Sequence, residues 1–515
     1  MKKFLNTASK LIFSRTLVIV LMIVAQIAIL AFGGAYLTRM FPEFLVIFDV
    51  LGAIFLVIII NRDEPAEFKL TWAVIIAVLP VFGVLMYAFT MNNYGMVRLK
   101  KKVEREIKST RGILSTSDGT KEALLRQDKV LQRFAYFMEQ DQGFPIYHNT
   151  KLSYYPEGVE AIEALIEELK KAKEYIFIEY FIIAEGKVWD SVLEILKEKV
   201  KEGVEVKVMY DGLCSIFKLP YRYPQKLAEY GIDAKMFAPI IPFLSTTQNN
   251  RDHRKIVVID GNVAFTGGVN LADEYANYIS LYGYWKDVAI KIEGHAVMSM
   301  TRMFLQNWNL YGKEDLNYDK YLLDKLSRSK FEHDGFVIPY ADSPTDEDEL
   351  GKNVYSAVFS HATDYVHIMT PYFIVDREFL SVMKYAAQRG IEVKIILPHI
   401  PDKKVAFWVA RSYYKILLQA GIKVYEYRPG FIHAKVAVAD DKVATVGSVN
   451  LDYRSFYHHF ENGIYVYGNK VVDAIERDFQ NTLADCIEVD KAHYEHINVF
   501  TRIIGRIVRF FAPLM

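Results

Sequence analysis

The chain has 515 residues, enough for one large or two ordinary domains with additional segments. Its 62 basic and 62 acidic residues balance, so no overall positive charge indicates a nucleic-acid-binding protein. Aromatic residues make up 14% and the mean hydropathy is +0.08, which is high for a soluble protein. The two cysteines, Cys214 and Cys486, lack the spacing of a metal site or a disulfide framework.

The first 95 residues contain most of the excess apolar sequence. After a polar and basic start, three apolar runs follow at about Leu17–Leu37, Phe44–Ile60 and Leu70–Phe89. Each run is near the length that crosses a bilayer, although the second contains Asp49 and would suit a tilted or partly interfacial helix. Three successive runs argue against a cleaved signal peptide. The sequence therefore predicts an N-terminal membrane anchor, residues 1–95, with two to three transmembrane helices.

The basic residues on either side of these runs give conflicting indications of orientation. Six of them follow the third run between residues 98 and 108, and the positive-inside rule places that cluster in the cytoplasm. The N-terminal tail is also basic, yet three spans would place it on the opposite side. Either one signal is overridden or one apolar run does not span. The larger cluster favours a cytoplasmic position for the remainder of the chain.

Strands and helices alternate beyond a helical connector, residues 96–150, and this alternation is typical of an α/β fold. Residues 151–335 and 336–490 repeat one plan and look like an internal duplication. In the first half we expect helices at Gly158–Lys173 and Val188–Glu202, and strands at Tyr175–Ile183 and Val204–Tyr210. In the second half we expect strands at Tyr365–Met369, Val393–Leu397 and Lys423–Tyr427, and helices near Glu378–Arg389 and Lys404–Ala420.

Each half contains one copy of an HxKxxxxD motif, in RDHRKIVVIDG and in GFIHAKVAVAD. A single copy is a weak signal. Two copies in one register, with the same downstream glycine and asparagine, indicate a duplicated functional site rather than two capped core strands. The same spacing of 180 residues relates His253, Lys255, Asp260, Gly267 and Asn270 to His433, Lys435, Asp440, Gly447 and Asn450.

The residues after each histidine predict a buried strand. In the first copy, the run 255–259 is apolar and β-branched. Because side chains alternate along a strand, His253 and Lys255 share one face and point into one site. Asp260 precedes Gly261 and Asn262 in a turn sequence, so we interpret Asp260 and Asp440 as turn-capping members of the motif.

The last residues, 491–515, form a basic tail that ends in TRIIGRIVRFFAPLM. Arginines at three- to four-residue spacing stand against isoleucines and phenylalanines. The pattern predicts a short amphipathic helix that either lies on an anionic bilayer surface or docks on the protein.

The two motifs resemble the HKD motifs of the phospholipase D superfamily, in which two pseudo-symmetric α/β/α halves share one active site. The stretches FIEYFI, YDG, GGVNLADEY, YWKDVAIKIEGHAV, TPYFIVD, GSVNLDYRSF and FENG resemble, more specifically, the bacterial cardiolipin synthases of this superfamily. The likeness covers the chain from about residue 42 onward. HHFEN at 458–462 departs from it, since the family commonly has a leucine–asparagine pair before the glutamate.

This resemblance implies phosphoryl transfer through a covalent histidine intermediate. His253 is expected to attack the phosphorus, as the first-motif histidine usually does in this superfamily, and His433 to act as general acid and then general base. The reverse assignment stays open because the motifs are nearly equivalent. Lys255 and Lys435 would neutralise the non-bridging phosphate oxygens.

The resemblance also assigns the remaining site residues. Asp260 and Asp440 complete the catalytic motifs. Glu461 and Asp287, each a carboxylate that follows its motif, are the candidates for orienting the histidines. Contacts with the substrate phosphate are expected from Asn270, Asn450, Gly268 and Ser448.

The implied activity is the condensation of two phosphatidylglycerol molecules into cardiolipin and glycerol at the bacterial cell membrane, without a cofactor. Anionic membrane lipids are the expected partners, and a homo-oligomer is left open. Alternatives are a phospholipase D-type hydrolase, a synthase with another donor or acceptor, and a degenerate membrane scaffold. A nuclease is disfavoured because the chain offers no basic nucleic-acid groove.

A metal site is the competing interpretation of the histidines. Neither motif alone supplies a dense group of ligands, and a lysine two residues from each histidine would repel a cation. We therefore expect no metal. The other histidines singled out are interpreted as surface or packing residues, namely His361, His399, His458, His459, His493 and His496.

Overall fold

The computed structural model describes residues 24, 27–29, 31–36, 39–41, 43–91, 94–214, 218–239, 249–311, 316–322, 334–345 and 348–514. The polar and basic start of the chain and most of the first apolar run, Leu17–Leu37, lie outside these residues.

Helices and strands alternate through the described part of the chain. The helices are α1 Glu43–Ile60, α2 Ala66–Val78, α3 Pro80–Met91, α4 Tyr94–Thr110, α5 Asp118–Leu124, α6 Lys129–Gln140, α7 Gly158–Lys171, α8 Lys187–Lys201, α9 Tyr223–Ala228, α10 Val297–Leu310, α11 Tyr318–Leu322, α12 Leu350–His361, α13 Arg377–Gln388, α14 Lys404–Gln419, α15 Tyr453–Tyr457, α16 Val471–Ala484, α17 Lys491–His496 and α18 Val499–Phe511. The strands are β1 Thr150–Tyr155, β2 Tyr175–Tyr180, β3 Glu205–Asp211, β4 Asp233–Phe237, β5 Arg251–Asp252, β6 Lys255–Ile259, β7 Val263–Gly267, β8 Tyr284–Lys286, β9 Ala289–Gly294, β10 Phe336–Asp342, β11 Tyr365–Met369, β12 Phe373–Ile374, β13 Glu392–Pro398, β14 Lys423–Tyr427, β15 Gly430–Ile432, β16 Val436–Ala439, β17 Val443–Gly447, β18 Leu451–Asp452, β19 His459–Tyr467 and β20 Cys486–Glu488.

The two halves contain sheets of the same topology, which confirms the predicted two-lobed α/β fold. The first sheet has the order β1-β9-β7-β6-β2-β3-β4 and the second β10-β19-β17-β16-β11-β13-β14, with β20 added at its edge. In both, two antiparallel pairings followed by one parallel pairing join the four central strands, β7-β6-β2-β3 in the first sheet and β17-β16-β11-β13 in the second. Each motif strand, β6 or β16, is wholly buried near the middle of its sheet. The duplication therefore places both motifs at equivalent positions.

The two halves are joined by short parallel strand pairs as well as by packed side chains. Strand β5 pairs with the start of β19, and β15 pairs with β8. Each pair brings the segment that precedes one motif histidine against the other half. The halves therefore meet where the two motifs begin.

The N-terminal helices differ from the predicted transmembrane anchor. The third apolar run, Leu70–Phe89, is divided into α2 and α3 at Leu79, whose φ of −131° and ψ of 70° leave the helical region. Pro80 accounts for the break, because a proline lacks the N–H of a helix interior and disfavours helical geometry in the residue before it. Among the described residues, no helix is long and apolar enough to cross a membrane. The prediction of two to three transmembrane helices is therefore not supported.

The C-terminal helix α18 docks on the protein body. Its arginines pack on tyrosines, with the Arg509 guanidinium 3.6 Å from the ring centre of Tyr413. The following turn reaches the N-terminal helices, where Leu514 packs against the cluster that includes Trp72 and Tyr87. Of the two predicted arrangements, docking on the protein is therefore the one found for the arginine-bearing face of this helix.

Candidate active site

The two motif histidines are buried at the junction of the halves. His253 and His433 are 6% and 7% exposed, and Lys255 and Lys435 are 1% and 0% exposed. Each histidine stands two residues before the lysine that opens a buried strand, so alternation directs both side chains to the same face of its sheet. Burial is the main cause that lowers the pKa of each histidine, and the charge of Lys255 lowers both as well, so Lys255 lies near both histidines.

Backbone hydrogen bonds attach each histidine to the opposite half. The His253 N–H donates to the carbonyl oxygen of Phe460 at 2.9 Å, and the His433 N–H donates to that of Lys286 at 2.7 Å. Phe460 and Lys286 are the residues immediately before Glu461 and Asp287. In both halves, therefore, the histidine N–H bonds to the residue that precedes the carboxylate of the opposite half.

The carboxylates pair with the histidines across the junction. Nδ1 of His253 lies 2.9 Å from Glu461, which comes from the second half, and Nδ1 of His433 lies 2.6 Å from Asp287, which comes from the first. The sequence indicated both carboxylates but not this crossed pairing. Because Nδ1 faces a carboxylate in both cases, Nε2 is left as the nitrogen for chemistry. Neither half by itself contains a motif histidine together with the carboxylate that bonds it.

The electrostatics of the two pairs differ. Burial lowers the pKa of both histidines well below the usual value. Burial opposes ionisation of Glu461, but the charge and hydrogen bond of His253, together with the nearby His459, outweigh it and lower the pKa of Glu461. At Asp287 burial dominates, against the charge of Lys435, and raises the pKa to about 7. Glu461 is therefore an anion at neutral pH, whereas Asp287 holds a proton part of the time.

The two lysines lie against the histidine backbone. The Nζ atoms of Lys255 and Lys435 donate to the carbonyl oxygens of His253 and His433, and Lys435 Nζ also lies 2.7 Å from His433 Nδ1. Burial lowers the pKa of Lys255 to about 8 and that of Lys435 to about 7. An anion bound between the lysines would favour their charged forms.

The structure assigns contacts other than phosphate to several predicted phosphate ligands. The Ser448 hydroxyl donates to Glu461 and accepts from the Asn462 N–H at 3.0 Å. A Cβ on Gly268 would collide with the Asp287 carboxylate, and one on Gly447 would collide with the Asn462 carbonyl. Ser448 thus holds Glu461 in position, and Gly268 leaves the space that Asp287 occupies. At both glycines the missing side chain allows another part of the protein to pack closely.

The two asparagines of the motifs are not equivalent. Asn270 Oδ1 accepts from the Ile182 N–H at 3.0 Å, and its Nδ2 donates to the Tyr275 hydroxyl at 2.8 Å. Asn450 Oδ1 is buried and has no hydrogen-bond partner among the described residues. Asn270 therefore positions the protein around the site, whereas Asn450 retains an acceptor for a ligand.

Asp260 and Asp440 lie at the far ends of the motif strands, away from the histidines. Asp260 accepts from the backbone N–H groups of residues 173–175 at 2.8–2.9 Å. Asp440 accepts from those of residues 363–365 at 2.6–3.0 Å. These contacts are what a turn-capping role requires, and the strand between each aspartate and its histidine, five residues in β6 and four in β16, holds the two more than about 13 Å apart.

His459 is a site residue that sequence reasoning missed. It is 7% exposed, its ring centre lies 5.3 Å from that of His253, and its Nδ1 lies 3.5 Å from Glu461. Neither of its ring nitrogens has a hydrogen-bond partner in the described part of the chain. The available signal was the HHFEN sequence, which departs from the family pattern at this residue.

His253, His459 and Glu461 together offer a His₂Glu set of metal-ligand atoms within 4.8 Å of one another. The set combines residues of both halves, which neither motif supplies alone, and its donor types suit zinc. A cation bound there would compete with the hydrogen bond between His253 and Glu461. The cluster therefore belongs to the site already described.

Comparison with known proteins supports the same family as the sequence motifs. Residues 165–304 and 355–483 match the family profile described as "Cardiolipin synthase, PLD-like domain", and residues 47–90 match "Phospholipase_D-nuclease N-terminal". The chain is 33% identical over 497 residues to a cardiolipin synthase of Alkalihalophilus pseudofirmus, covering 94% of this chain and 98% of that one. It is 33% identical over 462 residues to a cardiolipin synthase 2 of Bacillus cereus, covering 89% of each.

Two further comparisons bear on the extent of the likeness. An uncharacterized protein of Streptococcus mutans is 44% identical over 457 residues, covering 89% of this chain and 98% of that one. The crystal structure of a phosphatidylserine synthase of Haemophilus influenzae superposes with a TM-score of 0.53 at 17% identity, covering 70% of this chain and 93% of that one, which shows a shared fold. The matches extend over both halves and both motifs, and the chain belongs to the cardiolipin synthase family of enzymes in the phospholipase D superfamily.

Proposed function

We propose that this protein is a membrane-bound phosphatidyltransferase that forms cardiolipin and glycerol from two phosphatidylglycerol molecules through a phosphohistidine intermediate. The observation that carries the proposal is the pair of buried imidazoles, each bonded at Nδ1 to a carboxylate of the other half. One imidazole can form a covalent intermediate while the second moves protons. The family membership supports a phospholipid as the substrate.

The first step transfers a phosphatidyl group to the enzyme. Nε2 of neutral His253 attacks the phosphorus, the bond from phosphorus to the glycerol oxygen breaks, and His433 gives its proton to that oxygen. Glycerol leaves, and the phosphatidyl group remains on His253. Burial that keeps His253 neutral is required here, because an imidazolium has no lone pair for attack.

The second step transfers the group to the acceptor lipid. His433, now neutral, takes the proton from a hydroxyl of the second phosphatidylglycerol, whose oxygen bonds to phosphorus as the nitrogen–phosphorus bond breaks. Asn450 Oδ1, which lacks a partner among the described residues, is a suitable acceptor for a hydroxyl of either lipid. The two steps return both histidines to their starting states.

The different carboxylates support this division of roles. Ionised Glu461 accepts from His253 Nδ1 and increases the electron density available at Nε2. Asp287, whose pKa burial raises to about 7, is partly ionised at neutral pH, and in that form it accepts from His433 Nδ1 and stabilises protonated His433. The pKa of His433 is lowered first by burial and then by nearby lysine charges, and a bound phosphate anion offsets those charges, which favours the protonated His433 that the first step needs.

Lys255 and Lys435 stabilise the charge on the phosphate oxygens. Both are buried, and a charge interaction is stronger in such a site than in water. Lys403 adds positive charge that reaches His433. We place the reaction at the bacterial cell membrane, with the catalytic body on the cytoplasmic side.

The test is mass spectrometry of lipids after incubation of the full chain with phosphatidylglycerol. Cardiolipin and an equal amount of glycerol are expected from the wild type, and neither from His253→Ala or His433→Ala. Phosphatidic acid as the main product would establish hydrolysis instead. Products that form only when another phospholipid is added would identify a different donor, and no product from any donor would favour the scaffold.

A further inference from the structure

The third apolar run forms two antiparallel helices rather than one. Trp72 in α2 and Tyr87 in α3 have ring centres 5.2 Å apart. A straight helix would separate these residues by about 22 Å. Closer to the break, a Cβ on Gly83 would lie 2.7 Å from the Cα of Ile76. Both pairs are centred on the junction between Leu79 and Pro80, so the chain reverses direction there.

Both arms are short, and their outer surface is apolar. The 13 residues of α2 and the 12 of α3 give lengths of about 20 and 18 Å, whereas the hydrocarbon core of a bilayer is about 30 Å thick. No charged residue occurs between Leu70 and Met91. Exposed apolar side chains lie at both ends of the hairpin, with Val78 69% and Leu79 53% exposed at the tip and Leu70 57% exposed at the base.

The polar backbone groups at the reversal are largely satisfied. The Leu79 N–H donates to the Ile75 carbonyl at 2.9 Å, and the Gly83 N–H donates to the Leu79 carbonyl at 2.6 Å. Pro80 has no N–H to leave unpaired. Such pairing is required of any backbone that enters hydrocarbon.

Both ends of this hairpin are fixed to the catalytic body. At the start of α2, Glu67 accepts from the Arg377 N–H at 2.9 Å, and the Phe68 ring packs on Tyr453 at 5.7 Å. One turn further, the Thr71 hydroxyl donates to the Phe510 carbonyl at 2.8 Å. Beyond α3, Lys102 in α4 donates to the carbonyl of Leu310. The chain therefore enters and leaves the hairpin on the same side.

We propose that α2 and α3 form a re-entrant membrane hairpin, which inserts among lipid acyl chains from the side of the catalytic body and returns to that side. The occupant of its outer surface is the hydrocarbon of the bilayer. The neighbouring helix α18 carries exposed apolar side chains at Val499, Ile503 and Ile507 beside the hairpin base, which suits the level of the lipid headgroups. With a re-entrant third run, the loop 61–65 and the basic cluster 98–108 lie on one side of the membrane.

Single cysteines labelled with a membrane-impermeant maleimide test this arrangement in sealed vesicles of each orientation. The full chain carries Cys486→Ser, and this parent alone measures the background from buried Cys214. The test positions are Asp63→Cys in the loop, Leu79→Cys at the tip and Arg105→Cys in α4. Tyr385→Cys, at a side chain 63% exposed on the body, reports the side of the catalytic region.

The expected result is labelling of positions 63, 105 and 385 from the same side, with position 79 labelled only after detergent is added. Labelling of positions 63 and 105 from opposite sides would show that the run spans the bilayer. Labelling of position 79 in intact vesicles would show that the hairpin does not enter hydrocarbon. Cardiolipin formation is measured in parallel, so the result for the hairpin stands whether or not the proposed reaction occurs.

Discussion

The two histidine sites share a backbone frame but differ in the side chains around them. His253 is flanked by the rings of Phe181 and His459, at centre distances of 4.9 and 5.3 Å. His433 is flanked by Trp285 and Tyr275, at 5.3 and 5.4 Å. The duplicated sheets position two equivalent imidazoles, and residues outside the motifs make them different. A symmetric fold can thus support two chemical roles.

The sharpest test of this difference is a substrate whose leaving group needs no proton, such as phosphatidyl-p-nitrophenol. We expect His253→Ala and His433→Ala each to lower cardiolipin formation by about 10³-fold or more. With the activated substrate, His433→Ala should release about one equivalent of nitrophenolate per enzyme and then stall, and His253→Ala should release none. A burst in His253→Ala instead would reverse the assigned roles.

The two carboxylates should differ in importance. Glu461→Gln removes the anion that accepts from His253, and we expect kcat/KM to fall about 10²-fold. Asp287→Asn should cost about tenfold, because Asp287 already carries a proton part of the time near pH 7. Steady-state kinetics on variants with unchanged thermal unfolding would measure both.

The matched control is Glu476→Gln, which breaks a histidine–glutamate pair that lies wholly within the second half. Nδ1 of His367 lies 2.9 Å from Glu476, outside the site. We expect its kcat/KM to stay within about twofold of the wild type. Equal losses at positions 461 and 287 would contradict the electrostatic difference between the two sites.

The dependence of kcat/KM on pH should be a narrow bell. As pH falls through about 7, Asp287 becomes protonated and no longer accepts from His433, and the rate declines. As pH rises through about 7 and 8, Lys435 and Lys255 lose the charge that binds phosphate. Lys435→Arg keeps its charge and should move the alkaline limb upward by up to about one pH unit. An alkaline limb that does not move would exclude Lys435 as its source.

The smallest effect on catalysis is expected at Asp260 and Asp440, where the halves are most alike. Each aspartate accepts from three consecutive backbone N–H groups. Substitution by alanine should lower the free energy of unfolding by about 1–3 kcal/mol, by a similar amount in either half. Chemical unfolding measures this loss, and kcat of the folded fraction should change by less than about threefold. A loss of kcat comparable with that of the histidine variants would show that both aspartates take a direct part in catalysis.

The sequence predicts the parts of this fold that depend on local patterns. The predicted strands Tyr365–Met369 and Lys423–Tyr427 agree with the structure in both bounds, because each is a short, β-branched or aromatic segment between helices. The register of the two motifs also indicated a shared site. By contrast, the division of the third apolar run was visible as Pro80 but was outweighed by the hydropathy of the run.

The features that were not predicted depend on contacts between distant residues. The crossed pairing of His253 with Glu461 joins residues 208 positions apart, and no local pattern specifies it. The space beside Gly268 is filled by Asp287, so a glycine that suggested room for phosphate serves a protein contact. His459 was classed with the packing residues because its distance from His253 follows only from the pairing of β5 with β19.

The crossed carboxylates restrict the motions by which a second bulky lipid can reach the site. Separation of the halves as rigid bodies would break both histidine–carboxylate bonds and both backbone bonds that attach the histidines to the opposite half. Buried hydrogen bonds of this kind contribute about 1–3 kcal/mol each. Their loss would also leave both imidazoles without the carboxylates that orient them. The hydrogen bonds of the catalytic centre therefore favour an arrangement in which the two halves stay together through the reaction cycle. We therefore expect the glycerol and the acceptor headgroup to exchange while the two sheets remain together.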